Sequence, residues 1–111
     1  MVFIESKAFT RRLHDLAGGA ADEVLRQIQE DLFKDPEKGD VAQGLSGIRK
    51  ARAPNPTRGK GKRGGYRYMH LYLKHRDHIH LLILLDKDEQ EDLNTEQRKI
   101  LRLMVAELKR L

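Results

Sequence analysis

At 111 residues the chain suits one domain and leaves little room for two. Its composition is 39% hydrophobic and 35% charged, with a net charge of +5, no Trp and no Cys. These values describe a modest aliphatic core under a charge-rich surface, exclude disulfides and thiolate metal sites, and fit a reducing compartment.

Val2–Glu5 reads as a short first strand. Its apolar start is interrupted by Glu5, unlike a signal peptide, and no later run is long enough to span a membrane. A cytoplasmic protein without membrane contact is therefore expected. Ser6 can cap a helix whose apolar face is Phe9, Leu13 and Leu16. Gly18-Gly19 ends that helix, and a second is expected from about Ala20 to Lys34. Its apolar residues, Val24, Leu25, Ile28, Leu32 and Phe33, recur at helical spacing, with Asp22 and Glu23 at the positive end. Asp35-Pro36 closes it. The two helices form a hairpin.

A loop from Glu37 to Ser46 precedes a strand over Ile48–Ala53. Ala53-Pro54-Asn55-Pro56 breaks the strand, and Thr57–Gly65 is a Gly/Lys/Arg-rich loop. Tyr66–Leu73 alternates, with Tyr66, Tyr68, His70 and Tyr72 on one face and Arg67, Met69, Leu71 and Leu73 on the other. Lys74–Asp77 turns the chain into His78–Leu85, the most apolar and most central strand. Asn94 with Gln97 approximates a capping box for a last helix. Its stripe is Ile100, Leu101, Met104, Leu108 and Leu111. The order β-α-α-β-β-β-α gives an α+β fold: an antiparallel meander, the first strand beside it, and helices packed on one face. The opposite face is expected to lie open, rimmed by the basic loop.

Charge is unevenly placed. Between Val41 and Arg76 there is no Asp or Glu, yet ten Lys or Arg fall there: Arg49, Lys50, Arg52, Arg58, Lys60, Lys62, Arg63, Arg67, Lys74 and Arg76. The rest of the chain holds 12 basic and 17 acidic residues. Surfaces kept for solubility interleave both signs, whereas clustered cations release counterions from phosphates, so a polyanion partner is expected.

Three stretches carry a family resemblance. Pro36-Glu37-Lys38-Gly39-Asp40-Val41, Gly47-Ile48-Arg49-Lys50-Ala51-Arg52 and Gly59-Lys60-Gly61-Lys62-Arg63-Gly64-Gly65-Tyr66-Arg67 together resemble the RelE/HigB toxins of bacterial type II toxin–antitoxin systems. Lys87-Asp88-Glu89, Asp92-Leu93 and Thr95-Glu96 are similar to the HigB-like branch. The resemblance runs from the first strand to the last helix. It implies a single RelE-like domain over residues 1–111 with a curved antiparallel sheet, and cleavage of mRNA in the ribosomal decoding site without a metal or other cofactor. It also implies a cognate antitoxin, commonly a helix-turn-helix, HigA-like protein. Arg67 matches the family's catalytic arginine. Lys50 and Arg52 fall in the strand supplying phosphate contacts and catalytic lysines, and Lys87 matches the lysine after the last strand. Leu85 stands where many relatives have Tyr, and His70 and Leu71 where HigB-like relatives often have one.

Metal-free RNA cleavage needs a base for the 2′-OH, neutralisation at phosphorus and a proton for the 5′-oxygen. Arginine stays protonated but clamps phosphate with its fork, so Arg67 is a charge stabiliser or an ion-pair residue. Lys50 could serve the leaving oxygen or simply contact the backbone. His70 titrates nearest neutrality and is either acid–base or packed; strand parity sets it opposite Arg67. Arg49, Arg52, Arg58, Lys60, Lys62 and Arg63 would bind RNA, with Tyr66 stacking on a base. Tyr68 and Tyr72 would stack or pack against a helix. Gly59–Gly64 lacks the Gly-Lys-Ser/Thr ending of a nucleotide-binding loop, and His78 and His80 have no third metal ligand beside them. Two other readings share this sequence: a ParE-like gyrase-inhibiting toxin, and a non-catalytic RNA-binding relative.

Overall fold

The computed structural model of the chain describes residues 1–56, 65–87, 89–90 and 92–111. Arg58, Lys60, Lys62 and Arg63 lie outside the described residues. Strand β1 (Val2–Glu5) leads into helix α1 (Lys7–Ala17). The Ser6 hydroxyl accepts the Phe9 amide at 2.9 Å and starts the helix. Gly18, at φ 51°, ends it in a conformation that a side chain would strain. Helix α2 (Ala21–Lys34) follows after one tight turn and completes the hairpin.

Then come β2 (Asp40–Val41), β3 (Arg49–Ala53), β4 (Tyr66–Leu73), β5 (His78–Asp86) and α3 (Thr95–Arg110). The short β2 sits in a stretch that reads from sequence as loop. Asn94 and Gln97 complete a capping box at α3: the Asn94 side chain takes the Gln97 amide at 2.8 Å, and Gln97 takes the Asn94 amide at 3.0 Å.

The sheet order is β1-β5-β4-β3-β2. β2 to β5 form the expected antiparallel meander, and β1 joins parallel to β5. The hairpin α1–α2 packs on one face, burying Phe9, Leu13, Val24, Ile28 and Leu32 against Ala51, Tyr68, Ile79 and Leu84. Phe33 departs from its expected place in this layer and is 69% exposed.

The strand β5 is apolar on both sides, which demands cover on both. Leu101 and Val105 of α3 supply the second cover, in a cluster with Leu45, Ile48, Met69, Leu71 and Leu82. Among the described residues, the face read from sequence as open is therefore uncovered only toward β2, β3 and the start of β4. Ile100 and Leu111 lie outside the buried stripe of α3. Between Met69 and His70 the β4–β5 register slips: Met69 faces Ile83 and His70 faces Leu81, so Leu82 is the extra residue on β5.

Candidate active site

Directly opposed residues in an antiparallel pair point to the same face. On β3 and β4 the pairs are Lys50 with Met69 and Arg52 with Arg67. Met69 belongs to the α3-side cluster, so Lys50, Arg52 and Arg67 share that face. Asp40 on β2 pairs with Lys50 and joins them. These four side chains, with Lys38 and Gly39, line a cleft of 510 Å³ at the uncovered end of the face. No side chain at Gly39 is tolerable, because φ is +94° and a Cβ would collide with the Lys50 carbonyl oxygen. The close approach of this backbone to β3 forms one wall of the cleft.

The other wall is braced by polar contacts. Lys38 Nζ donates to Asp31 Oδ2 at 2.8 Å and to the Arg52 carbonyl at 3.3 Å. Lys50 Nζ stands 3.9 Å from Asp92 Oδ2, a loose ion pair too long for a hydrogen bond. Arg67 faces Leu85 across β4–β5. The position where many RelE/HigB relatives have Tyr is thus directly beside this arginine, and here it is a fully buried leucine. Lys87 follows β5 at the same end; its amide donates to the Gly65 carbonyl at 3.1 Å, two residues from Arg67.

Three expectations change. Arg49 pairs with His70, and therefore points to the α1–α2 face rather than into the cleft. Its guanidinium donates to the Gly39 carbonyl at 3.0 Å and approaches Glu37 at 3.5 Å, so it ties the β2 loop down. Tyr66 is 2% exposed, and its hydroxyl donates to the Leu16 carbonyl at 3.3 Å. It is a core residue with a satisfied hydroxyl, not a stacking platform.

His70 is fully buried on the face away from Arg67, as strand parity requires; the extra residue lies on β5 and leaves the β4 alternation intact. Its Nε2 lies 2.8 Å from the Lys38 carbonyl and its ring 5.6 Å from that of Tyr68. Burial lowers its pKa, the Lys38 carbonyl opposes that, and Arg49 and Lys38 add to it. A neutral imidazole that donates from Nε2 fits all of this. His70 thus holds the Lys38 backbone from below and stays out of the cleft. Tyr68 is also buried, and burial with Asp31 and Asp35 nearby pushes its phenol well above the ordinary range.

Sequence reasoning missed Lys38, Asp40 and Asp92 as cleft neighbours. Asp40 and Asp92 lie outside the basic block in sequence; the β2–β3 pairing brings in Asp40, and Asp92, just before α3, stands 3.9 Å from Lys50. The signal for Lys38 and Asp40 was Gly39 between two charges, the mark of a tight backbone approach. Among the described residues, no three of His, Cys, Asp or Glu gather in a set that could hold a metal ion. His78 and His80 stack edge-to-face with ring centroids 6.2 Å apart. No described helix is long and apolar enough to cross a membrane.

No model of a known protein family matches the chain. Its structure is similar to that of E. coli toxin RelE, a double arginine-to-alanine mutant in the free state. The TM-score is 0.57 with 10% sequence identity, over 81% of this chain and 86% of that one. It is also similar to a chain of the intact E. coli RelBE toxin–antitoxin complex, with a TM-score of 0.56, 10% identity, and coverage of 77% and 94%. The chain therefore has a RelE-like fold, of the α+β class.

Proposed function

We propose that this chain is the toxin of a toxin–antitoxin pair, a HigB-like relative of RelE that cuts mRNA on the ribosome in the cytoplasm and works as one domain over residues 1–111. The observation that carries the reading is the convergence of Lys50, Arg52 and Arg67, from two strands, on one open cleft. Cations from different strands aimed into a common cleft suit a sugar-phosphate backbone, because they neutralise neighbouring phosphates together.

In the reaction the 2′-OH loses its proton and the 2′-oxygen attacks phosphorus. The bond to the 5′-oxygen breaks, leaving a cyclic phosphate, and the 5′-oxygen takes up a proton. Arg67 neutralises the charge that builds on the phosphoryl oxygens. Lys50, with Lys87 at the adjoining strand end, serves the two oxygens that exchange protons. No cofactor enters. Arg58, Lys60, Lys62 and Arg63 are assigned to RNA binding from the sequence. A cognate antitoxin would hold the toxin in check, and the likeness to a chain of the RelBE toxin–antitoxin complex supports such a partner; its helix-turn-helix, HigA-like character is proposed from the sequence resemblance.

Inducing the chain in cells should stop growth and leave mRNA cut at defined codons, and Arg67→Ala should abolish both. A second reading, a non-catalytic RNA-binding relative, draws support from the cleft itself. His70 faces away from it and Leu85 replaces a phenol beside Arg67, so neither can supply a near-neutral proton donor there. Salt-sensitive RNA binding with mRNA left intact on ribosomes would establish that reading. DNA breaks linked to gyrase, with intact mRNA, would establish a ParE-like one instead.

A further inference from the structure

β1 is an outer strand of the sheet and, among the described residues, pairs only with β5. Along a strand, alternate residues turn their N–H and C=O to opposite sides. The amides of Val2 and Ser6 bond the carbonyls of Asp77 and Leu81 at 3.0 and 2.9 Å. Positions 2, 4 and 6 therefore serve β5, and Phe3 and Glu5 direct their backbone groups outward. Past the end of β1, side chains close the β5 edge. Ser6 Oγ donates to the Leu82 carbonyl at 2.7 Å and Arg12 Nε to the Leu84 carbonyl at 3.1 Å. Among the described residues nothing closes the outward groups of Phe3 and Glu5 in this way. The strand Val-Phe-Ile-Glu also lacks the lysine, proline or bulge that blunts exposed edges.

An apolar groove flanks this edge on each face. On the α1–α2 side, Phe3 lines a groove of 360 Å³ with Phe33, Arg26, Glu30 and Lys34. On the α3 side, Ile4 lines one of 290 Å³ with Glu5, His80, Leu82, Met104, Glu107 and Leu108. Val2, at the strand start, is 51% exposed.

We propose that β1 pairs antiparallel with β1 of a second copy of this chain, about a two-fold axis through Ile4. Phe3 of each copy then faces Glu5 of the other, and each pair exchanges both backbone hydrogen bonds, so all the outward groups are satisfied. Glu5 lies on the α1–α2 face, where one carboxylate oxygen accepts the Thr10 hydroxyl at 2.8 Å. In the pair its other oxygen enters the groove walled by Arg26 and Lys34 of the opposite copy, where Glu30 is the one acid. Ile4 meets its own counterpart between the α3-side grooves. The register centred on Ile4 sets Ile4 against Ile4 and the Glu5 carboxylate of β1 against Arg26 and Lys34 of the opposite α2. That self-complementarity favours a second copy over a foreign strand, and a two-fold contact closes on itself.

The chain has no cysteine, so an Ile4→Cys variant can form a disulfide only with another copy. Residues facing each other without mutual hydrogen bonds lie about 4.5 Å apart at Cα, within the disulfide range of about 4.4–6.8 Å. Sedimentation equilibrium should return twice the 12.9 kDa subunit mass. Mild oxidation should cross-link Ile4→Cys and spare Val41→Cys, which is exposed on the opposite edge of the sheet. Glu5→Lys, with an unchanged circular dichroism spectrum, should weaken self-association at least about tenfold by setting like charges together. A subunit mass at every concentration, or cross-linking no faster at position 4 than at 41, overturns the proposal. So does a chain that stays monomeric alone and accepts only a foreign strand at β1. Should Ile4→Cys fail to fold, the mass of the wild type against Glu5→Lys decides.

Discussion

The contrast between neighbouring arginines is the sharpest residue-level feature of the cleft. Arg52 faces it with Arg67, whereas Arg49, three residues earlier, braces Gly39 from the other face. Arg52→Ala should weaken RNA binding and lower the slope of log affinity against log salt by about 0.7, one lost phosphate contact on a single strand. Arg49→Ala should leave that slope unchanged in the same salt titration and lower the urea midpoint instead. His70 carries a pH dependence whose sign follows from its burial. Its folded pKa lies below the ordinary 6.5, so above that value both folded and unfolded chains hold it neutral. As pH falls below 6.5 the unfolded chain takes up a proton that the folded one refuses, and stability is lost. His80 is lowered too, first by burial and then by His78 and Arg76, and acts in the same direction. Urea midpoints should fall from about pH 7 to about pH 5.5, and His70→Gln should flatten part of that fall. A midpoint rising with acid over this range would refute the burial argument. The cations Lys50, Arg52 and Arg67 were legible in sequence because charge segregation is a one-dimensional signal. Burial of Tyr66 and His70 was not, because alternation assigns a face and cannot say which face a helical hairpin will cover.

Among the elements, the helices follow their local chemistry closely. Ser6, Gly18 and the Asn94–Gln97 box all act where a reading of caps places them. Asn94→Ala should cost about 1 kcal/mol in chemical denaturation by removing the cap of α3. β2 was illegible for a physical reason. Two residues have no periodicity, and Asp40–Val41 becomes a strand only because Gly39 lets the chain press against Lys50. Gly39→Ala should cost more than the positive φ alone, about 1–3 kcal/mol, because its Cβ would also collide with the Lys50 carbonyl oxygen. It should also weaken RNA binding, since the same backbone forms a wall of the cleft. A variant with wild-type stability and wild-type binding would show that the wall does not depend on this approach. The cover that α3 gives the second face was implicit in β5, whose residues are apolar on both sides. Phe33 marks the opposite case: it obeys the helical spacing of α2 yet is 69% exposed, lining an outer groove with Phe3 rather than the core.

For the molecule as a whole, two apolar layers leave one corner of the sheet uncovered among the described residues, and the basic strands end there. The order of elements and the meander could be read from the chain; the parallel seating of β1 and the closure of the sheet by α3 depend on contacts far apart in sequence. The most direct measurement is mRNA cleavage on programmed ribosomes with purified protein, mapped by the 5′ ends of the products. The wild type should cut at defined codons. Arg67→Ala, folded by circular dichroism, should lose about 10²–10³ in rate, the scale of removing one charge-stabilising group. Intact mRNA with the wild type, or equal cutting by Arg67→Ala, would contradict a nuclease built on the cleft of Lys50, Arg52 and Arg67.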